Sequence, residues 1–313
     1  MKLKTLDIEY GNAICYSGYR ENQSPVSRQY PDYAQVLEDL RILESNWQYL
    51  RLYDCSRHAE LVLQVIANEG LDFKVMLGCD MRAEVSNPNC PWGADFAEER
   101  LRANRRENSA EVDRMISLAS HYPDAVFAVS VGNEATVEWN DHMVPVERVI
   151  AYVQLMKAAI DQPVSVAENY AWWIRDGAAL AAQVDFLGVH TYPEWEGKTI
   201  DEALAYTIEN IEGVRAALHD RPIAILEAGW ATVAVEFGDR ANEASQARYY
   251  LEMQKWARST NTTVFFFEAF DEPWKGDPDV PLGAEKHWGL FNVDRTPKQL
   301  IQERPDASVS QQH

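Results

Sequence analysis

Glu134 in Val131-Gly132-Asn133-Glu134 and Glu227 in Leu226-Glu227-Ala228-Gly229-Trp230 each stand at the carboxyl end of a short apolar run, Val126 to Val131 and Pro222 to Leu226. Such runs read as strands buried on both faces, and an ionised carboxylate beside them is costly unless it is paired or opens into a cleft. Two glutamates at the same end of two parallel strands can face each other across one site. A pair of that kind suits the cleavage of a glycosidic bond: one carboxyl protonates the leaving oxygen, and the other attacks the sugar carbon or activates water. Either glutamate alone is most simply a surface residue at a strand end. The pair, set in a repeated strand–helix pattern, points to chemistry.

That pattern repeats eight times along the chain. The predicted strands are Ala13–Tyr19, Tyr49–Cys55, Lys74–Met81, Val126–Glu134, Pro163–Tyr170, Val184–Tyr192, Pro222–Trp230 and Thr263–Trp274, all short and rich in Val, Ile, Leu and Phe. Helical periodicity fills most of the gaps: Val36, Leu40 and Leu43 share a face, as do Leu61, Val62, Val65 and Ile66. Val149, Val153, Met156 and Ile160 form another, opened by Pro145 at a first helical position, and Leu204, Ile208, Ile211 and Leu218 line a fourth. The weakest helix follows Tyr170 and rests on an alanine-rich stretch around residues 178–183. No Ser/Gly/Pro linker divides the chain. The expectation is a single-domain (β/α)8 TIM barrel over residues 1–303, with a frayed tail over 304–313. Barrels of this kind gather their chemistry at the strand carboxyl ends, where both glutamates lie.

Composition narrows the partners. The 313 residues carry 29 basic against 49 acidic side chains, a net charge of −20, so nucleic acid and anionic membrane surfaces are disfavoured. A neutral polysaccharide is not penalised, and a monomer is expected. No run approaches the roughly 18 apolar residues of a membrane span. The opening residues 1–7 show no stretch of signal-peptide length, which leaves a cytoplasmic location, or a secreted or periplasmic one if a leader has been cleaved. The four cysteines, Cys15, Cys55, Cys79 and Cys90, form no C-x-x-C, and the seven histidines show no H-E-x-x-H. Neither a metal nor a cofactor is expected. A nucleotide enzyme is disfavoured because no G-x-G-x-x-G follows the first strand.

The tryptophans are unevenly placed. Of ten, eight fall at strand ends or in the loops after them: Trp92, Trp139, Trp172, Trp173, Trp195, Trp230, Trp274 and Trp288; Trp47 and Trp256 fall on predicted helices. Indole faces stack on the apolar faces of pyranose rings while the N–H bonds a hydroxyl. About half are expected to pack loops instead.

These residues also carry a family resemblance over nearly the whole chain. Ile14-Cys15-Tyr16, Arg51-Leu52-Tyr53-Asp54, Val131-Gly132-Asn133-Glu134, His190-Thr191-Tyr192-Pro193, Glu227-Ala228-Gly229-Trp230, Phe270-Asp271-Glu272-Pro273-Trp274-Lys275 and Glu285-Lys286-His287-Trp288-Gly289-Leu290-Phe291 resemble the motifs of family 17 glycoside hydrolases, clan A barrels that act on β-1,3-glucans. The resemblance implies Glu134 as acid/base, Glu227 as nucleophile, and Glu272, Lys275 and Glu285 in the polar network around the nucleophile. Tyr16, Arg51, Tyr53, Asn133, Tyr192, Trp230, Glu268 and Trp274 are the further substrate-binding candidates. Ala231, Asp271, Pro273 and the long loop over residues 81–108 depart from the plant pattern and bear on cleft length rather than on the catalytic pair.

The mechanism so implied is retention through a covalent intermediate, with endo attack on laminarin-type glucan. Asn133 is a candidate for the sugar 2-hydroxyl, Tyr192 for orienting Glu227, and Arg51 and Lys275 for keeping carboxylates ionised. Glu168 and Glu268 are rim carboxylates suited either to sugar hydroxyls or to structural ion pairs. Two alternatives stand beside hydrolysis: a β-1,3-glucanosyltransferase using the same residues, and a non-catalytic glucan-binding barrel.

Overall fold

The computed structural model describes residues 12–219 and 221–302. Eight parallel strands close into one barrel in chain order: β1 (Ala13–Cys15), β2 (Tyr49–Arg51), β3 (Lys74–Cys79), β4 (Val126–Asn133), β5 (Val164–Asn169), β6 (Leu187–His190), β7 (Ile223–Gly229) and β8 (Val264–Phe267). The crossovers carry α1 (Tyr33–Leu43), α2 (Arg57–Glu69), α3 (Glu98–His121), α4 (Val146–Ala159), the short α5 (Tyr170–Arg175) and α6 (Ala178–Ala181), α7 (Ile200–Ala217) and α8 (Glu243–Thr260), and α9 (Gln299–Gln302) follows. The expected (β/α)8 barrel is the observed fold. The 304–313 tail lies outside the described residues.

Two apolar layers result from the alternation of side chains along each strand. The interior is filled by Ala13, Cys15, Met76, Ala128, Ala167, Ala224, Leu226 and Phe265, many of them small. The outer layer, with Ile14, Leu50, Val75, Val129, Val166, Val189, Ile225 and Phe266, packs against the helices. Helix α1 is started by its own sequence: Asp32 and Gln35 form a reciprocal capping box. Gly70 ends α2 in the left-handed conformation at φ 64°.

The strands are shorter than the apolar runs suggest. The run Thr263–Trp274 leaves the sheet after Phe267, yet its backbone stays buried and bonded. The Glu268 N–H donates to the Trp288 carbonyl, the Ala269 N–H to Cys15, and the Phe291 N–H to Ala269. A buried segment need not be a strand so long as its polar groups find partners. The same reason shortens the run Ala13–Tyr19 to three residues.

Other expectations shift by a residue or a face. Pro145 is the N-cap of α4 rather than its first residue. The buried stripe of α7 is Ala203, Thr207, Asn210, Ile211 and Val214, so only Ile211 of the expected set faces inward fully. Thr207 and Asn210 are inside because each has a partner, Tyr249 and Thr191 respectively. The segment 81–108 is a loop only as far as Ala97, the N-cap of α3. Trp47 lies just past α1, and Trp172 and Trp173 sit buried on α5.

One buried ion pair ties the end of the chain back to its start. Arg295 grips Asp39 of α1 with two bonds of 2.7 Å and donates to the Gly18 carbonyl after β1, and both charged side chains are almost fully buried. Removing one partner leaves the other charge buried and unpaired. Asp39→Ala is therefore expected to cost about 3–5 kcal/mol of unfolding free energy, measured by urea denaturation.

Candidate active site

A cleft of about 1250 Å³ opens at the carboxyl ends of the strands, with Glu134 and Glu227 in its wall. Glu134 follows the last residue of β4 and Glu227 lies within β7. The two meet at His190, the last residue of β6. Its Nδ1 is 2.9 Å from Glu134 Oε1 and 3.4 Å from Glu227 Oε2. Those two carboxyl oxygens can be no farther apart than the sum of these distances. The sum falls below the roughly 6.5–9.5 Å separation of inverting pairs and is compatible with the roughly 5–5.5 Å of retaining ones.

The two carboxyls sit in different surroundings. Glu227 is nearly buried, its side chain 9% exposed against 24% for Glu134. Arg51 reaches up from β2 to donate to Glu227 Oε1 at 2.6 Å, and the Tyr192 hydroxyl donates to Oε2 at 2.6 Å. Burial alone would push the Glu227 carboxyl up; attraction to His190 and Arg51, with the Tyr192 and Arg51 hydrogen bonds, outweighs it and holds the group at about 2. These contacts favour the carboxylate form of Glu227. Arg51 also donates from Nη2 to Asn133 Oδ1 at 2.5 Å, which turns the Asn133 amide donor elsewhere.

A second charged group lies beside the first. Lys275 contacts Glu272 and, at 3.2 Å, Glu268. Ser17 and the Trp274 indole donate to Glu272 Oε1, the latter at 2.9 Å. Burial pushes the Glu268 carboxyl well above the usual range, with the Glu272 charge adding to it. Burial opposes ionisation of Glu272 too, but Lys275 and the hydrogen bonds of Glu268 and Ser17 bring it below its ordinary value. One cation thereby serves two carboxyls that are pushed in opposite directions, Glu268 up and Glu272 down.

Of the substrate-binding candidates, Tyr16, Tyr53, Asn133, Tyr192, Glu272, Trp274, Lys275 and Glu285 line the cleft together. Three do not. Arg51 is buried behind Glu227 and touches the site through it and through Asn133. Glu268 is fully buried as a partner of Lys275. Trp230, expected as a rim ring, is fully buried, packs on Tyr249 and donates to the Arg240 carbonyl. The strand alternation turns it away from the mouth. Glu168 is likewise no rim group: it is buried, accepts from the Thr136 N–H, and burial pushes it up to about 8. The tryptophans that do reach the cleft are Trp92, Trp139, Trp195, Trp274 and Trp288.

His190 was not singled out as a site residue from sequence. The signal was present, since it stands two residues before Tyr192 and so shares its face. His142 was also missed. It contacts Asp141 at 2.9 Å and the Asn133 carbonyl at 3.0 Å. Burial would lower it, but Asp141, that carbonyl and Asp80 raise it to about 9. No cluster of ligating side chains fit to hold a metal ion occurs among the described residues.

An eight-stranded barrel with paired carboxyls at its mouth is the architecture of a glycoside hydrolase. Residues 13–289 match the BtgE/BtgC glycoside hydrolase domain, and the chain belongs to that family. It is 27% identical to a glucan 1,3-beta-glucosidase of Arthroderma benhamiae over 286 residues, covering 85% of this chain and 84% of that protein. A putative glucan endo-1,3-beta-glucosidase btgC of Aspergillus niger is 26% identical across 88% of this chain but only 41% of its own length. Among solved structures, an endo-laminarinase from Formosa Hel1_33_131 superposes with a TM-score of 0.82 at 27% identity, over 96% of this chain and 87% of that one. A β-1,3-glucanosyltransferase from Rhizomucor miehei shares the fold, with a TM-score of 0.73 at 20% identity over 96% of this chain and 97% of that one.

The Tyr192 bond gives a direct test of the electrostatics. Tyr192→Phe removes one of the groups that lower Glu227, so its carboxyl is expected to titrate above the value of about 2 held in the native protein. A 13C-carboxyl NMR titration of glutamate-labelled protein reads the shift; an unchanged or lower value contradicts it.

Proposed function

We propose that the chain is a family 17 enzyme that hydrolyses internal β-1,3-glucosidic bonds of laminarin-type glucan with retention. Support comes from the shared contact of Glu134 and Glu227 with His190, which keeps the carboxyls at close range. Glucanase names among the relatives and the laminarinase likeness give the linkage.

The two environments divide the roles. Glu227, ionised and held by Arg51 and Tyr192, attacks the anomeric carbon. Glu134, the more exposed carboxyl, gives its proton to the glycosidic oxygen as that bond breaks, and the aglycone leaves. Glu134 is then ionised and takes a proton from water, which attacks the glycosyl ester and restores Glu227. Asn133, with its Oδ1 occupied by Arg51, has its amide N–H groups available for a sugar hydroxyl. The aromatic rings of Trp92, Trp139, Trp195 and Trp274 supply platforms for neutral pyranose rings along the cleft.

Glu134→Gln and Glu227→Gln are each expected to fold and to lose at least about 10³-fold in turnover of unactivated glucan. Azide is expected to rescue Glu227→Gly with inversion and Glu134→Gly with retention, the latter only with an activated leaving group. Full activity of either Gln variant on glucan removes that residue from the mechanism.

Reduced laminarin distinguishes the modes of attack. Mixed oligosaccharides in the first minutes are expected from internal cleavage. Glucose or one oligomer alone contradicts it, and products longer than the substrate assign the enzyme to glucanosyl transfer.

A further inference from the structure

Glu134 is one of five non-glycine residues with positive φ among the described residues, at 48°, directly after Asn133 and Gly132, whose φ is 96°. This left-handed backbone is disfavoured for a side chain larger than glycine and persists only where the surroundings enforce it. Two buried asparagines bond to this segment, beside the Glu134 N–H bond to the Ala167 carbonyl. Asn140, in the loop after β4, donates from Nδ2 to the Glu134 carbonyl. Asn87, in the loop after β3, donates from its own Nδ2 to the carbonyls of Asn140 at 2.7 Å and Glu138 at 2.9 Å. Both are 3% exposed. The Nδ2 of each faces only carbonyl oxygens, which settles the amide orientation.

The loop that carries Asn87 is itself anchored. Its Glu84 is buried and bonded to Arg148 at 2.8 Å, Tyr152 at 2.7 Å and Asn108 at 3.0 Å, while the Glu84 N–H donates to the Met143 carbonyl at 2.9 Å. The chain of contacts therefore runs from α3 and α4 through Glu84 and Asn87 to Asn140 and ends on the peptide of Glu134.

We propose that Asn140 and Asn87 are positioning residues for Glu134, holding its backbone in the left-handed conformation that aims its carboxyl at the glycosidic oxygen. The inference rests on Glu134 being the acid/base. Asn140 reaches the cleft wall, but Asn87 does not, so Asn87 acts on the reaction only through the loop it pins.

In the first step, a displaced acid matters only where the leaving group needs a proton. For Asn140→Ala, kcat/KM on laminarin is expected to fall by about 10²-fold. On 2,4-dinitrophenyl β-laminaribioside, whose leaving group departs unprotonated, it is expected to change by less than about threefold. Because the same carboxyl serves as base in the second step, kcat on the aryl substrate falls and a burst of dinitrophenolate appears. Asn87→Ala and the isosteric Asn87→Asp, which lacks both donors, are expected to show the same split at about tenfold. They decide the question if Asn140→Ala does not fold. Equal losses on both substrates, or Asn87 variants at native kcat/KM on laminarin, overturn the proposal. Glu134→Gln run alongside separates the two failures: if it keeps native activity on laminarin, the acid/base reading falls and not the tie.

Discussion

The Arg51–Glu227 ion pair is the contact on which the site depends. Closing eight parallel strands brings Glu134, Glu227, Glu272 and Glu285 to one mouth and seals Glu268 beneath it, with much of their surface out of water. Carboxylates crowded in that way repel and lose hydration, so each must be matched by a cation or keep its proton. Arg51 answers for Glu227 at 2.6 Å. Lys275 answers for Glu272 and leaves Glu268 pushed well above its ordinary range. Burial also raises Glu285. The site is thus a mosaic of carboxyls pushed down, as Glu227 and Glu272 are, and pushed up, as Glu268 and Glu285 are, rather than a uniform negative field.

The barrel interior makes this possible. Ala13, Cys15, Ala128, Ala167 and Ala224 are small, which leaves room within the core for a guanidinium to run upward from β2. Arg51 crosses the barrel to β7 and donates to the Leu226 carbonyl at 3.1 Å as well as to the Glu227 carboxylate. The Tyr53 ring centroid lies 4.5 Å from the guanidinium carbon. A bulkier interior layer would have displaced this side chain and left Glu227 buried without a counter-charge.

Around this charged centre the walls are aromatic and come from separate loops. Trp195 meets Phe237 edge-on with centroids 4.6 Å apart, and Trp288 stands beneath both. Trp92 is 66% exposed at the tip of the loop after β3. Flat apolar faces beside acceptors and donors match the two-faced chemistry of a sugar ring, and a neutral ring brings no charge into the mosaic.

The sequence by itself determined the barrel and the pair. Eight apolar runs too short for helices and too continuous for one-sided strands leave few alternatives to buried parallel strands, and glutamates at their carboxyl ends follow from register alone. The resemblance of the motifs to family 17 enzymes, not this local rule, pointed to Tyr192, Asn133 and Lys275. Direction and partnership were decided only by tertiary structure. Trp230 follows an active-site strand yet turns into the core, and Glu168 and Glu268 end strands yet are sealed beneath the rim. His190 bridges both carboxyls across contacts 37 and 56 residues apart in sequence. Asn87 reaches the acid/base candidate through a loop whose composition marks nothing but a turn. Composition and period report which face of a strand is buried; which buried polar group meets which depends on closing the sheet, and no local signal carries that.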